Sequence, residues 1–177
     1  MSLSEQSRER VEDALARLEA QYGDVVVVDD EWHVSEAEYG WIVDRFDAGT
    51  VGGAGVWVRN DDGAVLLVRE EGEDCWSEPS GKHEPGESLA ETARRELAEE
   101  TGISCRLTDV ELAQVVRMRT PGEPPLHRLV VVFGGENVSG TVEPAPGEIA
   151  EARWWERRPG SLRYDALEEL DIPASSE

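Results

Sequence analysis

Three glutamates near the middle of the chain have the spacing of a shared ligand set. Glu96, Glu99 and Glu100 stand at positions i, i+3 and i+4. On an α-helix, residues with this spacing lie on one face, where their like charges repel by about a few tenths of a kcal/mol per pair. A divalent cation would offset this repulsion, because carboxylate oxygens are the hard ligands that Mg²⁺ or Mn²⁺ prefers. The spacing therefore indicates a metal site of the kind that binds phosphate.

The elements around these glutamates are predicted to hold them in place. Residues 88–103 form a helical run, in which Leu89, Ala93 and Leu97 recur every four residues as an apolar stripe. The run ends at Gly102, where we expect a left-handed cap. A loop rich in glycine and proline, residues 79–86, precedes it. The sequence therefore predicts a loop and a helix whose carboxylates face a pocket beside a sheet.

Residues 81–103 resemble the complete Nudix box. An acidic helix in a chain with 39 acidic residues is usually a solvated surface, but here nine positions match by residue type and spacing. The matching residues are Gly81, Glu87, Arg95, Glu96, Leu97, Glu99, Glu100, Gly102 and Ile103. The resemblance implies an α/β fold, the α/β/α sandwich with a mixed sheet. We expect a Nudix hydrolase domain over residues 49–177, preceded by an N-terminal helical extension over residues 1–48.

The same resemblance implies an activity that depends on Mg²⁺ or Mn²⁺. It is the hydrolysis of a pyrophosphate bond in a nucleoside diphosphate linked to another group. The substrate would be a nucleoside triphosphate, a nucleotide sugar or a molecule similar to ADP-ribose. The alternative is a catalytically silent Nudix domain that acts as a nucleotide-binding sensor, although such a domain has little need of every box carboxylate.

Roles for the box residues follow from the resemblance. Glu96, Glu99 and Glu100 would be metal ligands, one of them also helping to activate water, and the backbone carbonyl of Gly81 would be a further ligand. Arg95 would act in catalysis by pairing with a box carboxylate.

The sequence allows more than one partner for Arg95. Glu87 is the favoured partner, since the pair would hold one box carboxylate in a fixed orientation. The alternative is an ordinary helical i,i+4 pair with Glu91 or Glu99.

A general base is expected outside the box. Glu148, in the loop before the Trp154-Trp155 strand, is the candidate, with Glu143 and Glu151 as rivals. A solvated surface role for Glu148 is the alternative.

Substrate selection is expected from cationic and aromatic residues outside the fixed box positions. Arginine and lysine can bind phosphate, and a tryptophan can stack on a base, although a surface or packing role is the alternative for each. Lys82 is singled out because it is the one lysine among 17 basic residues. The candidates are Arg69, Trp76, Lys82, Arg117 and His127, with Arg119 and Arg128 as further possibilities.

The composition disfavours several partners. A net charge of −22 argues against binding to nucleic acid or to an anionic membrane, both of which need basic patches. This acidic, lysine-poor surface resembles that of proteins from a salt-loaded cytoplasm. Cys75 and Cys105 do not have zinc-like spacing, so reduced thiols and a cytoplasmic location are expected. No apolar run reaches about 18 residues, the length that a membrane-spanning helix needs.

The remaining pattern predicts the other elements. Helices are expected over residues 4–21 and from Ser35 to about Phe46, and they could pack on the sheet, form a homodimer contact or cover the substrate. Strands over 50–59 and 64–69 would pair as a hairpin through the turn at 60–63. Further strands are expected over 104–118, over 129–133 with Gly134-Gly135 closing it, and over 152–155. A last helix is expected over 164–170.

Overall fold

The structure, a computed structural model, describes residues 1–172; the last five residues of the predicted domain lie outside the described part. The α/β/α sandwich with a mixed sheet that the sequence predicts is confirmed. Its elements in chain order are α1 (Leu3–Tyr22), β1 (Val27–His33), α2 (Glu36–Asp47), β2 (Gly52–Val58), β3 (Val65–Glu70), β4 (Ser80–Lys82), α3 (Leu89–Thr101), β5 (Ser104–Arg119), β6 (Leu126–Ser139), β7 (Ile149–Trp155) and a 3-10 helix (Asp165–Glu169).

A five-stranded sheet forms the centre, with the strand order β1-β5-β6-β2-β4. Strands β1 and β5 pair in parallel, as do β6 and β2, whereas β5 and β6, and β2 and β4, pair in antiparallel. Strands β3 and β7 form a separate antiparallel pair. The edge strand β4 carries the first residue of the box, so the candidate site lies at one margin of the sheet.

Helices cover both faces of the sheet. On one face, α1 and α3 bury Val11, Leu18, Ala93 and Leu97 against β2 and β6. On the other, α2 packs on β5 and β6, and the 3-10 helix buries Leu167 in a cluster that draws on β2, β5 and β6. The two layers of apolar contacts fix the sheet between the helices.

The N-terminal region contributes a strand as well as its two predicted helices. Strand β1 begins at the end of a short apolar run, residues 25–28, and continues through the acidic residues Asp29 to Glu31. Five of its seven residues are exposed, because β1 is an edge strand and has a partner on one side only. Its parallel pairing with β5 is a long-range contact that leaves no local signal.

The predicted hairpin is wrong in its strand pairing, although its turn forms. Asn60 accepts hydrogen bonds on its side chain from the amides of Asp62 and Ala64, as a tight turn requires. Beyond the single bridge between Arg59 and Val65, the two strands separate. Strand β2 already has β6 and β4 as neighbours, so β3 pairs with β7 instead.

Three further expectations differ from the structure. Strand β6 does not end at Gly134-Gly135 but continues to Ser139, because the glycines let neighbouring groups come close. A Cβ at Gly135 would lie 2.7 Å from the sulfur of Cys105. The predicted last helix is a 3-10 helix of five residues. The sequence also predicts residues 80–82 as part of a loop, whereas they form strand β4, because three residues are too few to show an alternating pattern.

Within residues 1–172, none of the helices combines the length and the apolar character needed to cross a membrane.

Candidate active site

Helix α3 begins and ends where the box residues direct it. The Ser88 hydroxyl accepts a hydrogen bond from the Glu91 amide at 3.1 Å, and the Glu91 carboxylate accepts one from the Ser88 amide at 3.2 Å. This reciprocal capping satisfies two amides that the first turn leaves without partners. At the other end, Gly102 adopts the left-handed conformation (φ 73°) and its amide donates to Ala98. The box therefore specifies its own helix.

Two box glutamates meet a third glutamate from a distant loop. Oxygen atoms of Glu96, Glu100 and Glu148, here called the carboxylate cluster, lie within 4.8 Å of one another. The Ala145 amide donates to the Glu100 carbonyl at 3.0 Å, which ties the loop before β7 to the end of α3. Glu100 is 3% exposed, while Glu148 is open to solvent. The cluster is therefore buried at one side and accessible at the other.

Strand β4 packs directly against this cluster. A Cβ at Gly81 would lie 2.1 Å from the Glu96 carboxyl carbon, which is closer than any real contact. Only glycine therefore lets the Glu96 carboxylate rest on the strand. Strand β4 is held in turn by β2, where Ala54 pairs with Gly81.

The electrostatics of the cluster fit a divalent cation. Burial raises the pKa of Glu100 to about 9, and the negative charges of Glu96 and Glu148 add to the effect. Burial also raises the pKa of Glu96, against the opposing influence of Arg95. The positive charge nearby thus does not offset the cost of burying Glu96 and Glu100. Because the donors are carboxylate oxygens close together, a hard divalent cation such as Mg²⁺ or Mn²⁺ fits the site.

Arg95 connects the helix to the box loop. Its Nε and Nη2 donate to the two Glu87 oxygens at 2.8 and 2.9 Å, the partner favoured from the sequence. Its Nη1 reaches Glu96 at 2.8 Å, and its Nη2 also donates to the Lys82 carbonyl at 3.0 Å. Hydrogen bonds from Arg95 lower the pKa of Glu87 to about 2. Glu87 is therefore ionised and fully engaged.

Glu99 lies outside the carboxylate cluster. Its side chain is 58% exposed and its nearest cation is the Arg95 Nη1, at 3.3 Å. The i,i+4 alternative for Arg95 thus coexists with the Glu87 pair, while the other alternative, Glu91, caps the helix. The structure brings together two of the three predicted helical ligands and adds the predicted base, Glu148.

Three of the predicted substrate-binding residues lie near the box or on β3. Arg69 forms an ion pair with Glu151 at 3.7 Å, so this rival base already has a cationic partner. Trp76 is buried and its ring packs edge-on against Trp155 at 4.8 Å, which is a packing role. Lys82 lies on β4, with its ammonium 4.6 Å from the centre of the Trp41 ring.

Arg117 and His127 are not brought to the carboxylate cluster. They line a separate cavity of about 720 Å³ between α1, β1 and β5, and no box residue contributes to its lining. The His127 amide donates to the Ser7 hydroxyl at 2.9 Å, so this residue anchors α1.

Several charged residues beside the site were not singled out in the sequence. Glu70 adds to the negative charge around Glu100 and pairs with Arg163 at 2.7 Å. Glu78, next to β4, is 2% exposed, and its Oε2 has no hydrogen-bond partner within residues 1–172. Burial raises the pKa of Glu78 to about 7. No spacing rule separates these residues from the many other charged groups, so only the fold identifies them.

Comparison with known proteins agrees with this geometry. The model of the NUDIX domain family matches residues 49–159. The 8-oxo-dGDP phosphatase NUDT18 of Danio rerio is 32% identical over 125 residues, which cover 66% of this chain and 36% of that protein. The NAD-capped RNA hydrolase NudC of Deinococcus radiodurans is 32% identical over 96 residues, 53% of this chain and 32% of that protein. The chain therefore spans about a third of the length of these relatives.

A solved structure shares the fold. The MutT NUDIX hydrolase from Burkholderia pseudomallei superposes with a TM-score of 0.52 at 26% sequence identity, covering 67% of this chain and 96% of that one. The family match includes the loop, the helix and the Glu148 segment described above. By its box, its fold and this match over most of its length, the chain belongs to the Nudix family.

Proposed function

We propose that this protein hydrolyses a pyrophosphate bond in a nucleoside diphosphate linked to another group, with the help of Mg²⁺ or Mn²⁺. One observation carries the proposal: Glu96, Glu100 and Glu148 converge within 4.8 Å, and among residues 1–172 only Glu96 of the three has a cationic partner, Arg95. A domain that only folds would gain nothing from this arrangement, since burying like charges costs stability.

The residues of the chain divide the work. Glu96 and Glu100 would hold the cation, with the Gly81 carbonyl and Glu99 as further proposed ligands. When bound, the cation would neutralise phosphate oxygens and favour attack by water. Arg95 keeps Glu96 and Glu87 in fixed orientations through its four donated hydrogen bonds to these residues and to Glu99.

Glu148 is the proposed general base. It is the exposed member of the cluster, so a water molecule can approach it, and it lies within reach of the two helical carboxylates. It would accept a proton as water adds to one phosphorus and the bridging P–O bond breaks. Glu151 is a weaker candidate because it pairs with Arg69.

The substrate class follows from the relatives only as a proposal. Their names give 8-oxo-dGDP and NAD-capped RNA as substrates, and both of these contain a pyrophosphate bond. Nucleoside triphosphates, nucleotide sugars and ADP-ribose also contain it. The net charge of −22 disfavours long nucleic acids as substrates. We also propose a cytoplasmic location, which the free thiols of Cys75 and Cys105 support.

The test is product release from a panel of these nucleotides with Mg²⁺ or Mn²⁺, in low and in high KCl. The salt series matters because a protein of this charge can lose stability at low ionic strength. We expect cleavage that requires the cation and is lost in Glu100→Gln. If no nucleotide is cleaved but one raises the melting temperature, the sensor function replaces the enzymatic one. Sedimentation of the full chain in the same buffers would test the proposed homodimer.

A further inference from the structure

A group of cations lies on the other side of the edge strand from the carboxylate cluster. We call these residues the cation patch: Arg45 on α2, Lys82 on β4 and Arg128 on β6. They lie around the backbone hydrogen bond between His83 and Gly52. The Arg45 guanidinium donates to the His83 carbonyl, and the Arg128 Nη2 donates to the Gly52 carbonyl at 3.3 Å. The His83 amide donates to the same Gly52 carbonyl at 3.0 Å, so Arg45 and Arg128 both bind backbone groups at this one point of contact between His83 and Gly52.

The cation patch is short of carboxylates in a chain that has an excess of them. The protein has 39 acidic and 17 basic residues, so a chance cation should find an acidic neighbour. Within the described part of the chain, neither Lys82 nor Arg128 forms an ion pair, and Arg45 has only the half-exposed Glu84 at 3.6 Å. The Arg45 Nε is buried and has no hydrogen-bond partner among residues 1–172.

Like charges held together in this way are costly without an anion. Burial lowers the pKa of Arg128, and the nearby charge of Arg45 lowers it further. Trp41 keeps the patch assembled, because the Arg45 guanidinium carbon and the Lys82 nitrogen lie 5.0 and 4.6 Å from the centre of its ring. Guanidinium groups with free donors bind phosphate through charge-assisted hydrogen bonds.

The position of the cation patch relates it to the proposed reaction. Side chains alternate along a strand, and Gly81 faces Glu96, so Lys82 lies on the opposite face of β4. The Lys82 carbonyl nevertheless accepts a hydrogen bond from Arg95. The patch and the cluster are thus adjacent along β4 but on different faces.

We propose that the cation patch is a phosphate-binding subsite for the part of the substrate beyond the scissile bond. The proposal rests on the proposed function and narrows its substrate class to nucleotides that carry a phosphate remote from the point of attack. One of its three residues, Arg45, and the supporting Trp41 come from α2, outside the residues that the family model matches.

Arg128→Gln is the decisive variant, because within residues 1–172 the Arg128 side chain makes a single, long hydrogen bond, so its loss should leave the fold intact. We expect KM for the best substrate of the panel to rise about 10- to 100-fold, with kcat nearly unchanged. Arg128→Lys should recover part of the loss. Arg94→Gln is the matched control, since Arg94 is exposed on α3 and its substitution removes the same charge. Equal KM values for Arg128→Gln, Arg94→Gln and the wild type would overturn the proposal.

A second measurement separates this proposal from the enzymatic one. Binding of AMP and of inorganic phosphate is followed by thermal shift with EDTA present, so that neither metal nor turnover is needed. We expect AMP to stabilise the wild type and Arg94→Gln but not Arg128→Gln, even if no substrate is cleaved. If inorganic phosphate shows this pattern while AMP does not, the patch is a site for free phosphate and the substrate subsite is wrong.

Discussion

The box holds acidic side chains in two contrasting environments. Glu87 is matched by the guanidinium of Arg95, which lowers its pKa to about 2. Glu100 is buried beside Glu96 and Glu148, which raises its pKa to about 9. One carboxylate is therefore satisfied by the protein, whereas the other is left to a ligand from outside. A perturbed pKa alone does not mark the proposed metal site; the direction of the shift and its cause support it.

The largest expected effect separates Glu100 from its neighbour Glu99. Glu100→Gln keeps the shape of the side chain but removes a ligand charge, so we expect kcat to fall by roughly 10³-fold while circular dichroism stays unchanged. Glu99→Gln should also lose most turnover if Glu99 turns towards the cation. Nearly normal turnover of Glu99→Gln would remove this residue from the ligand set; nearly normal turnover of Glu100→Gln would refute the site itself.

The next effect tests Glu87, the carboxylate whose charge Arg95 satisfies. In Arg95→Lys the charge remains but the paired hydrogen bonds to Glu87 cannot both form. We expect kcat/KM to fall about 10- to 100-fold, because Glu96 and the box loop lose their orientation. The neighbouring Arg94→Lys, on the exposed side of α3, serves as the control and should be neutral. A neutral Arg95→Lys would mean that charge alone is sufficient.

The smallest effect concerns stability without metal. The pKa of Glu100 is raised from 4.5 in the unfolded chain to about 9, so its stabilising contribution is present below 4.5 and is lost as pH rises through about 9. Glu78 contributes in the same direction, up to about pH 7. We therefore expect the melting temperature in EDTA to decline across this range.

The Glu100→Gln variant supplies the control for this decline. It cannot titrate, so its melting temperature should vary less with pH, and Mg²⁺ should stabilise the wild type but not the variant. Glu87 works in the opposite direction, since its contribution is present above 4.5 and is lost as pH falls through about 2. Parallel pH profiles for the wild type and Glu100→Gln in EDTA would contradict the assignment of a raised pKa to Glu100.

Local pattern was sufficient to predict the box helix and its family. The spacing of Leu89, Ala93 and Leu97 gives a helix with one buried stripe, and Ser88 and Gly102 end it at either side. These features depend on residues within a few positions of one another, so periodicity and capping describe them fully. The same holds for the turn at residues 60–63 and for the cap of α2 at Ser35.

Long-range packing decided which of these residues meet. The hairpin strands separate because β2 has both of its edges occupied. Strand β1 joins the sheet through β5, where Val27 pairs with Ala113. From the sequence, Glu148 is one of three acidic candidates for the base. Only the contact between the loop before β7 and the end of α3 brings it to the box glutamates. Arg45, Lys82 and Arg128 are far apart in the chain and form a group only on the folded sheet. The sequence by itself determined the chemistry of the box; the tertiary structure decided which charges are paired and which are left for a ligand, because partners distant in the chain meet only once the sheet has assembled.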